Sequence, residues 1–184
     1  MGVTMVRENA VTDYVGREHV TPDAQRFEAF YAAHRSRLYR ALTLALRDST
    51  LAAEATDEAF TRAYERWNDV AGYTNPAGWI YRVAMNWATS SIRKRRRETI
   101  GNLTDRPTID EEITDPRLVA AIADLSLEHR SVVVMRYFLD WSTDEMAEAL
   151  DVAPGTVKSR LHRALAALAA AVPPLNPYQG AGDD

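Results

Sequence analysis

The chain has 184 residues and not one cysteine. That removes disulfides, thiolate zinc sites and cysteine nucleophiles, and it fits a reducing compartment. Long apolar runs are missing too. The longest, near Ala164 to Val172, falls far short of the roughly 20 residues a membrane-spanning helix needs. The N-terminus lacks the basic-then-apolar pattern of a secretory signal. A cytoplasmic protein without membrane insertion is expected, and there the formal glycosylation sequon Asn102-Leu103-Thr104 carries no meaning. There is no phosphate-binding glycine loop, no H-E-x-x-H and no G-x-S-x-G. The histidines His19, His34, His129 and His162 show no ligand spacing. No enzyme, metal or cofactor is therefore expected. Strand-like alternation is scarce. Even the β-branched Val132 to Val134 sits inside a segment of helical spacing, so the fold class is all-α.

The net charge is −4 with a pI near 5.6, which opposes a phosphate field, whereas proteins that find DNA unaided are usually basic. The charge is unevenly spread. Arg93, Lys94, Arg95, Arg96 and Arg97 form a solid block. Glu98 to Asp115 then gathers Glu98, Asp105, Asp110, Glu111, Glu112 and Asp115 against the single cation Arg106. Acidic and basic surfaces are expected to meet different partners.

The most informative stretch is Ser142 to Leu168. Ser142 and Glu145 have the spacing of a capping box, so a short helix begins here and runs to about Leu150, burying Met146, Ala147 and Leu150. Asp151, Val152 and Ala153 leave room for one turn. Pro154 then suits the first position of a new helix. Val157, Leu161, Ala164, Leu165 and Leu168 recur on its inner side, and Thr156, Lys158, Ser159, His162 and Arg163, with Arg160 at the edge, remain outside. A lone amphipathic surface helix shows the same split. Two helices joined by such a turn favour a helix-turn-helix whose second member fits the major groove.

Upstream, residues 1–22 show no sustained period and read as a mobile N-terminal extension. Phe27, Phe30, Tyr31, His34, Leu38, Leu42 and Ala45 mark a first long helix ending near Arg47. Thr50 offers a cap for a second, with Ala52, Ala55, Ala59, Phe60, Ala63 and Trp67 inside and Glu54, Asp57 and Glu58 outside. That acidic side is either an ordinary solvated face or a partner-binding one. The chain turns over Asn68 to Pro76, and Asn75-Pro76 caps a third helix. Trp79, Ile80, Val83 and Trp87 are assigned to its core side, while Tyr81, Arg82, Asn86 and Ser90 point elsewhere. Aromatic faces and arginines together suit a single strand of nucleic acid, although large aromatics at this spacing also build cores. Two small helical domains, 23–97 and 116–172, are thus joined by a flexible acidic linker, 98–115. With few apolar residues in the linker, the domains are expected to move independently unless a partner clamps them. The tail, 173–184, is proline- and glycine-rich and reads as disordered.

The stretch LSLEHRSVVVMRYFLDWSTDEMAEALDVAPGTVKSRLHRAL resembles the C-terminal DNA-reading domain of bacterial sigma factors, especially the extracytoplasmic-function (ECF) group, whose pattern includes GTVKSRLHRA. FEAFYAAHRSRLYRALTLALRD, DEAFTRAYERW and NPAGWIYRVAMNWATSSIRKRRR resemble the N-terminal sigma domain. The resemblance covers most of Phe27 to Ala170 and implies a factor that binds core RNA polymerase and promoter DNA, with an anti-sigma protein as a further candidate partner. It implies polymerase docking at Glu54, Asp57, Glu58 and Arg62. Minus-10 contacts fall at Tyr73, Asn75, Arg82, Asn86, Arg93 and Lys94, and minus-35 reading at Thr156, Lys158, Ser159, Arg160, His162 and Arg163. Where the group carries a D-A-E-D stretch, this chain has Leu51-Ala52-Ala53-Glu54, which thins the acidic patch. The acidic linker resembles the segment that threads toward the polymerase active centre. The alternative class is a free-standing helix-turn-helix transcriptional regulator, which would need a ligand or receiver domain where Phe27 to Arg97 stands.

Overall fold

A computed structural model of the chain describes residues 22–98 and 116–172, and every regular element among them is a helix. The expected N-terminal extension, most of the acidic linker and the tail lie outside the described residues. The first unit comprises α1 (Pro22–Leu46), α2 (Ser49–Glu65), the single turn α3 (Trp67–Val70) and α4 (Pro76–Glu98). The second comprises α5 (Pro116–Asp124), α6 (Leu127–Tyr137), α7 (Thr143–Leu150) and α8 (Pro154–Ala171).

Local chemistry sets most of these boundaries. Asp48, not Thr50, caps α2, its carboxylate accepting from the Leu51 amide at 2.7 Å. Asp satisfies an orphan donor of the first turn at least as well as Thr. Ser126 caps α6 through the His129 amide. The expected capping box is present in both directions: Ser142 Oγ accepts from the Glu145 amide, and Glu145 Oε2 accepts from the Ser142 amide at 2.7 Å. α7 ends on Asp151 in the left-handed region (φ 55°), a conformation Asp tolerates. Pro154 then opens α8.

In the first unit α1 and α4 both pack on α2. The inner side of α2 is nearly all alanine: Ala52, Ala55, Ala59 and Ala63 are fully buried, and Phe60 fills the gap toward α1. The core side of α4 is not the aromatic one expected. Ala77, Ile80, Tyr81, Ala84 and Ala88 are buried, whereas Trp79, Val83 and Trp87 are half-buried. Small side chains at this spacing let α4 lie close against α2, and the large aromatics are displaced to the flanks. In the second unit Leu150 is half-buried and Leu165 exposed, so the buried face of α7 is Met146, Ala147 and Ala149, and that of α8 is Val157 and Ala164.

The expectation of two independently moving domains meets a structure in which they share a core. α1 packs on α6 and α4 on α7. Tyr81 of α4 is the largest fully buried side chain, and its ring stands edge-on to Trp141 of the second unit at 5.7 Å. Leu38, Leu42, Ile80 and Tyr81 belong to one apolar cluster with Val132, Met135, Trp141 and Met146. The helices themselves supply the contact, because Tyr81 and Trp141 each present apolar area that their own unit leaves uncovered.

Candidate nucleic-acid interface

The outer face of α8 is built as expected from Pro154 onward. Lys158, Ser159, His162 and Arg163 are exposed, and Thr156 is half-buried at the start of the helix. Arg160 is turned aside. Its Nη2 lies 3.0 Å from Glu128 Oε2 of α6, and its side chain is only 21% exposed. The four exposed side chains form a rod of donors with a hydrophobic underside fixed on α6 and α7, which is the geometry of a major-groove reader.

A second surface runs along α4. Asn86, Arg93 and Lys94 are exposed and Arg82 is half-buried. Tyr73, in the loop before α4, is 37% exposed, with its ring 6.2 Å from that of Trp79. Asn75 differs from the others because it is buried, its Oδ1 accepting from the Gly78 amide at 2.7 Å. It is the cap of α4, as its place before Pro76 suggests, and it shapes the loop that presents Tyr73. The basic block also divides. Arg95 turns back to Glu54 of α2 at 3.0 Å, so an acidic and a basic residue expected to meet different partners meet each other.

The third surface is the outside of α2. Glu58 and Arg62 are ion-paired at 2.7 Å one turn apart, and Asp57 accepts from Arg35 of α1 at 2.9 Å. The Arg35 guanidinium is held above its ordinary pKa chiefly by that hydrogen bond, and it stands over the Tyr31 ring at 5.7 Å. Beside the carboxylates lies a groove lined by Phe27, Tyr31, Arg35, Asp57, Phe60, Thr61 and Tyr64, with Tyr64 58% exposed. The sequence reading missed this groove. Phe27 and Tyr31 are spaced as part of the core stripe of α1, yet Tyr31 is left partly uncovered beside the exposed Tyr64 of α2.

Family models match both halves: "Sigma-70 region 2" over residues 30–98 and "Sigma-70, region 4" over residues 116–168. ECF RNA polymerase sigma factor SigL of Mycobacterium tuberculosis is 33% identical over 156 residues, covering 79% of this chain and 88% of that protein. The chain belongs to the ECF group of the sigma-70 family. RNA polymerase sigma-E factor of Streptomyces avermitilis is 35% identical over 147 residues, covering 77% of this chain and 82% of that one. The fold is likewise shared. Sigma factor RpoE of Bartonella quintana, solved with the anti-sigma factor NepR, superposes with a TM-score of 0.68 at 19% identity, covering 80% of this chain and 96% of that one. CnrH, solved with the cytosolic domain of CnrY, gives 0.55 at 20% identity, covering 79% and 87%. The free-standing regulator is thereby set aside, since region 2 stands where a ligand or receiver domain would be needed. Among the described residues of this sigma factor, no helix is long and apolar enough to cross a membrane.

Proposed function

We propose that this sigma factor works in the cytoplasm as a non-catalytic subunit, dividing the labour of promoter recognition among the three surfaces above. The outer face of α8, through Lys158, Ser159, His162 and Arg163 with Thr156 at its start, reads the minus-35 element as duplex. The α4 surface, through Arg82, Asn86, Arg93 and Lys94 with Tyr73 as a stacking face, grips the separated strand of the minus-10 element. The outside of α2, through Glu54, Asp57, Glu58 and Arg62, docks core RNA polymerase, with the Phe27–Tyr31–Tyr64 groove as an apolar anchor beside the charges. Anti-sigma proteins of the kind solved with RpoE are a further partner class.

The observation that carries this reading is the pairing of a built helix-turn-helix, capping box included, with a separate helix whose end exposes Arg93, Lys94 and Arg97. The net charge of −4 opposes unaided DNA binding, so polymerase must supply much of the affinity. Mapping transcript starts after mixing the purified chain with bacterial core RNA polymerase and genomic DNA tests it. New start sites that require the chain are expected. Tight sequence-specific binding by the isolated chain at physiological salt, with no new start sites, would overturn it.

A further inference from the structure

The groove beside the α2 carboxylates does not end at Tyr64. A second cavity, of about 590 Å³, shares Tyr64 as a wall and is otherwise bounded by Asp23 and Ala24 of α1 and by residues 65–69. The first, of about 490 Å³, continues along α1 to Arg35. The two meet at Tyr64, so one trough follows α1 from its first turn to Arg35, a rise of roughly 16 Å from Ala24. Its wall is aromatic. Phe27 stands edge-on to Tyr64 at 5.0 Å and to Trp67 at 5.3 Å, and Tyr31 edge-on to Phe60 at 5.0 Å. Tyr31 and Tyr64 are both exposed. Aromatic side chains left uncovered side by side on one face mark a contact surface, whereas single ones do not.

Two observations point to what covers it. The indole N–H of Trp67 is buried and has no hydrogen-bond partner among the described residues. Buried donors are almost always paired, so an acceptor from outside those residues is expected at this end of the trough. The second observation is where the chain enters. Pro22 opens α1, and Asp23 and Ala24 already line the trough, so the chain before Pro22 arrives at its mouth. Residues 1–21 span up to about 70 Å when extended, several times the length of the trough. They carry Val11, Tyr14, Val15 and Val20 as apolar side chains, and Arg17 for a mouth that bears Asp23, Glu65 and Asp69 against Arg66. A tethered segment also needs little affinity of its own, because its effective concentration at the trough is on the order of millimolar.

We propose that residues 1–21 of this chain dock in the trough between α1 and α2, seating Tyr14 and Val15 against Tyr31 and Tyr64 while a carbonyl of the same segment accepts from Trp67. Asp57 and Tyr64 belong to the surface assigned above to core RNA polymerase. Polymerase therefore has to displace the segment before it docks there, a consequence that rests on that assignment.

The chain has no cysteine, so a nitroxide on Thr12→Cys is a single probe, read through the amide signals of the nitrogen-15-labelled full chain. The tether alone brings the label near the start of α1, so the comparison is with the same protein carrying Tyr14→Ser and Val15→Ser. The signals of Arg35, Thr61 and Tyr64 should be broadened away in the first protein and recover in the second. Equal broadening of these signals in the two overturns the proposal. So does their broadening by a spin-labelled second molecule mixed with an isotope-labelled chain that carries no nitroxide, since a second copy then fills the trough. Removing residues 1–21 gives the other readout: assembly with core polymerase should tighten about fivefold, because the docked population no longer competes. If the broadening is found and the affinity for polymerase does not change, the segment docks as proposed, and the assignment of the trough to polymerase falls.

Discussion

Gly78 places its amide 2.7 Å from Asn75 Oδ1, and a Cβ built on Gly78 would lie 2.7 Å from Asn75 Nδ2. The cap of α4 and the missing side chain one turn later are therefore one device. It follows that Gly78→Ala should not bring the roughly 0.5–1 kcal/mol that Ala normally adds within a helix, because the cap is displaced. In an Asn75→Ala background the same change should become stabilising by about that amount. Urea unfolding of the four proteins of this cycle measures the coupling, and additivity within about 0.3 kcal/mol would show that the cap and the glycine act separately.

Arg160 is held by Glu128 at 3.0 Å, so its availability to DNA differs from that of Lys158. Lys158→Ala should weaken promoter binding by the holoenzyme by about 1–3 kcal/mol if it makes a bidentate base contact, with core binding intact. Glu128→Gln removes the charge that holds Arg160 and should strengthen minus-35 binding, since it frees a guanidinium on the reading helix at the loss of one partly exposed ion pair. Unchanged minus-35 affinity in Glu128→Gln, measured by fluorescence anisotropy, would place Arg160 in the structural support of α8.

Asp57→Lys with Glu58→Lys should weaken assembly with core polymerase and lower transcription from every promoter in proportion. Arg35→Ala is the control, because it removes the partner of Asp57 without reversing charge on α2. A holoenzyme titration in which the double reversal behaves like Arg35→Ala would mean that the loss comes from the α1–α2 seam and not from docking.

His34 is half-buried, its ring 4.3 Å from that of Phe30, and its pKa lies below the ordinary 6.5, first through burial and then through Arg37. Because the unfolded chain takes up this proton at higher pH than the folded one, folding is undisturbed above about pH 6.5. Stability is then lost as the pH falls from 6.5 through the lower folded value. His34→Gln should flatten this part of the stability profile measured by urea unfolding between neutral and mildly acidic pH. An unchanged slope would assign the acid sensitivity to other groups.

Much of the first unit and most of the helix-turn-helix were legible in the sequence because their signals are local. The Ser142–Glu145 box, Pro154 and Asn75-Pro76 act within one turn of where they stand, so periodicity and capping chemistry suffice to place α7, α8 and the start of α4. The exposed Lys158, Ser159, His162 and Arg163 follow from the same reasoning, since the opposite side of the helix had to be buried. Two local signals compete at the start of α2, where Asp48 rather than Thr50 takes the cap.

Tertiary structure decided the rest. A helix of period 3.6 offers several possible inner faces, and which one of α4 is buried depends on what approaches it. Alanines facing α2, and Trp141 arriving from the other unit, put Tyr81 inside and Trp79 and Trp87 at the flanks. Which charges are spoken for also depends on distance in space, as Glu54 with Arg95, Glu128 with Arg160 and Arg130 with the end of α1 show. No spacing rule along the chain links Ala45 to Arg130. A helix exposes its terminal carbonyls only where it ends, and which guanidinium reaches them is settled by the packing of α1 on α6.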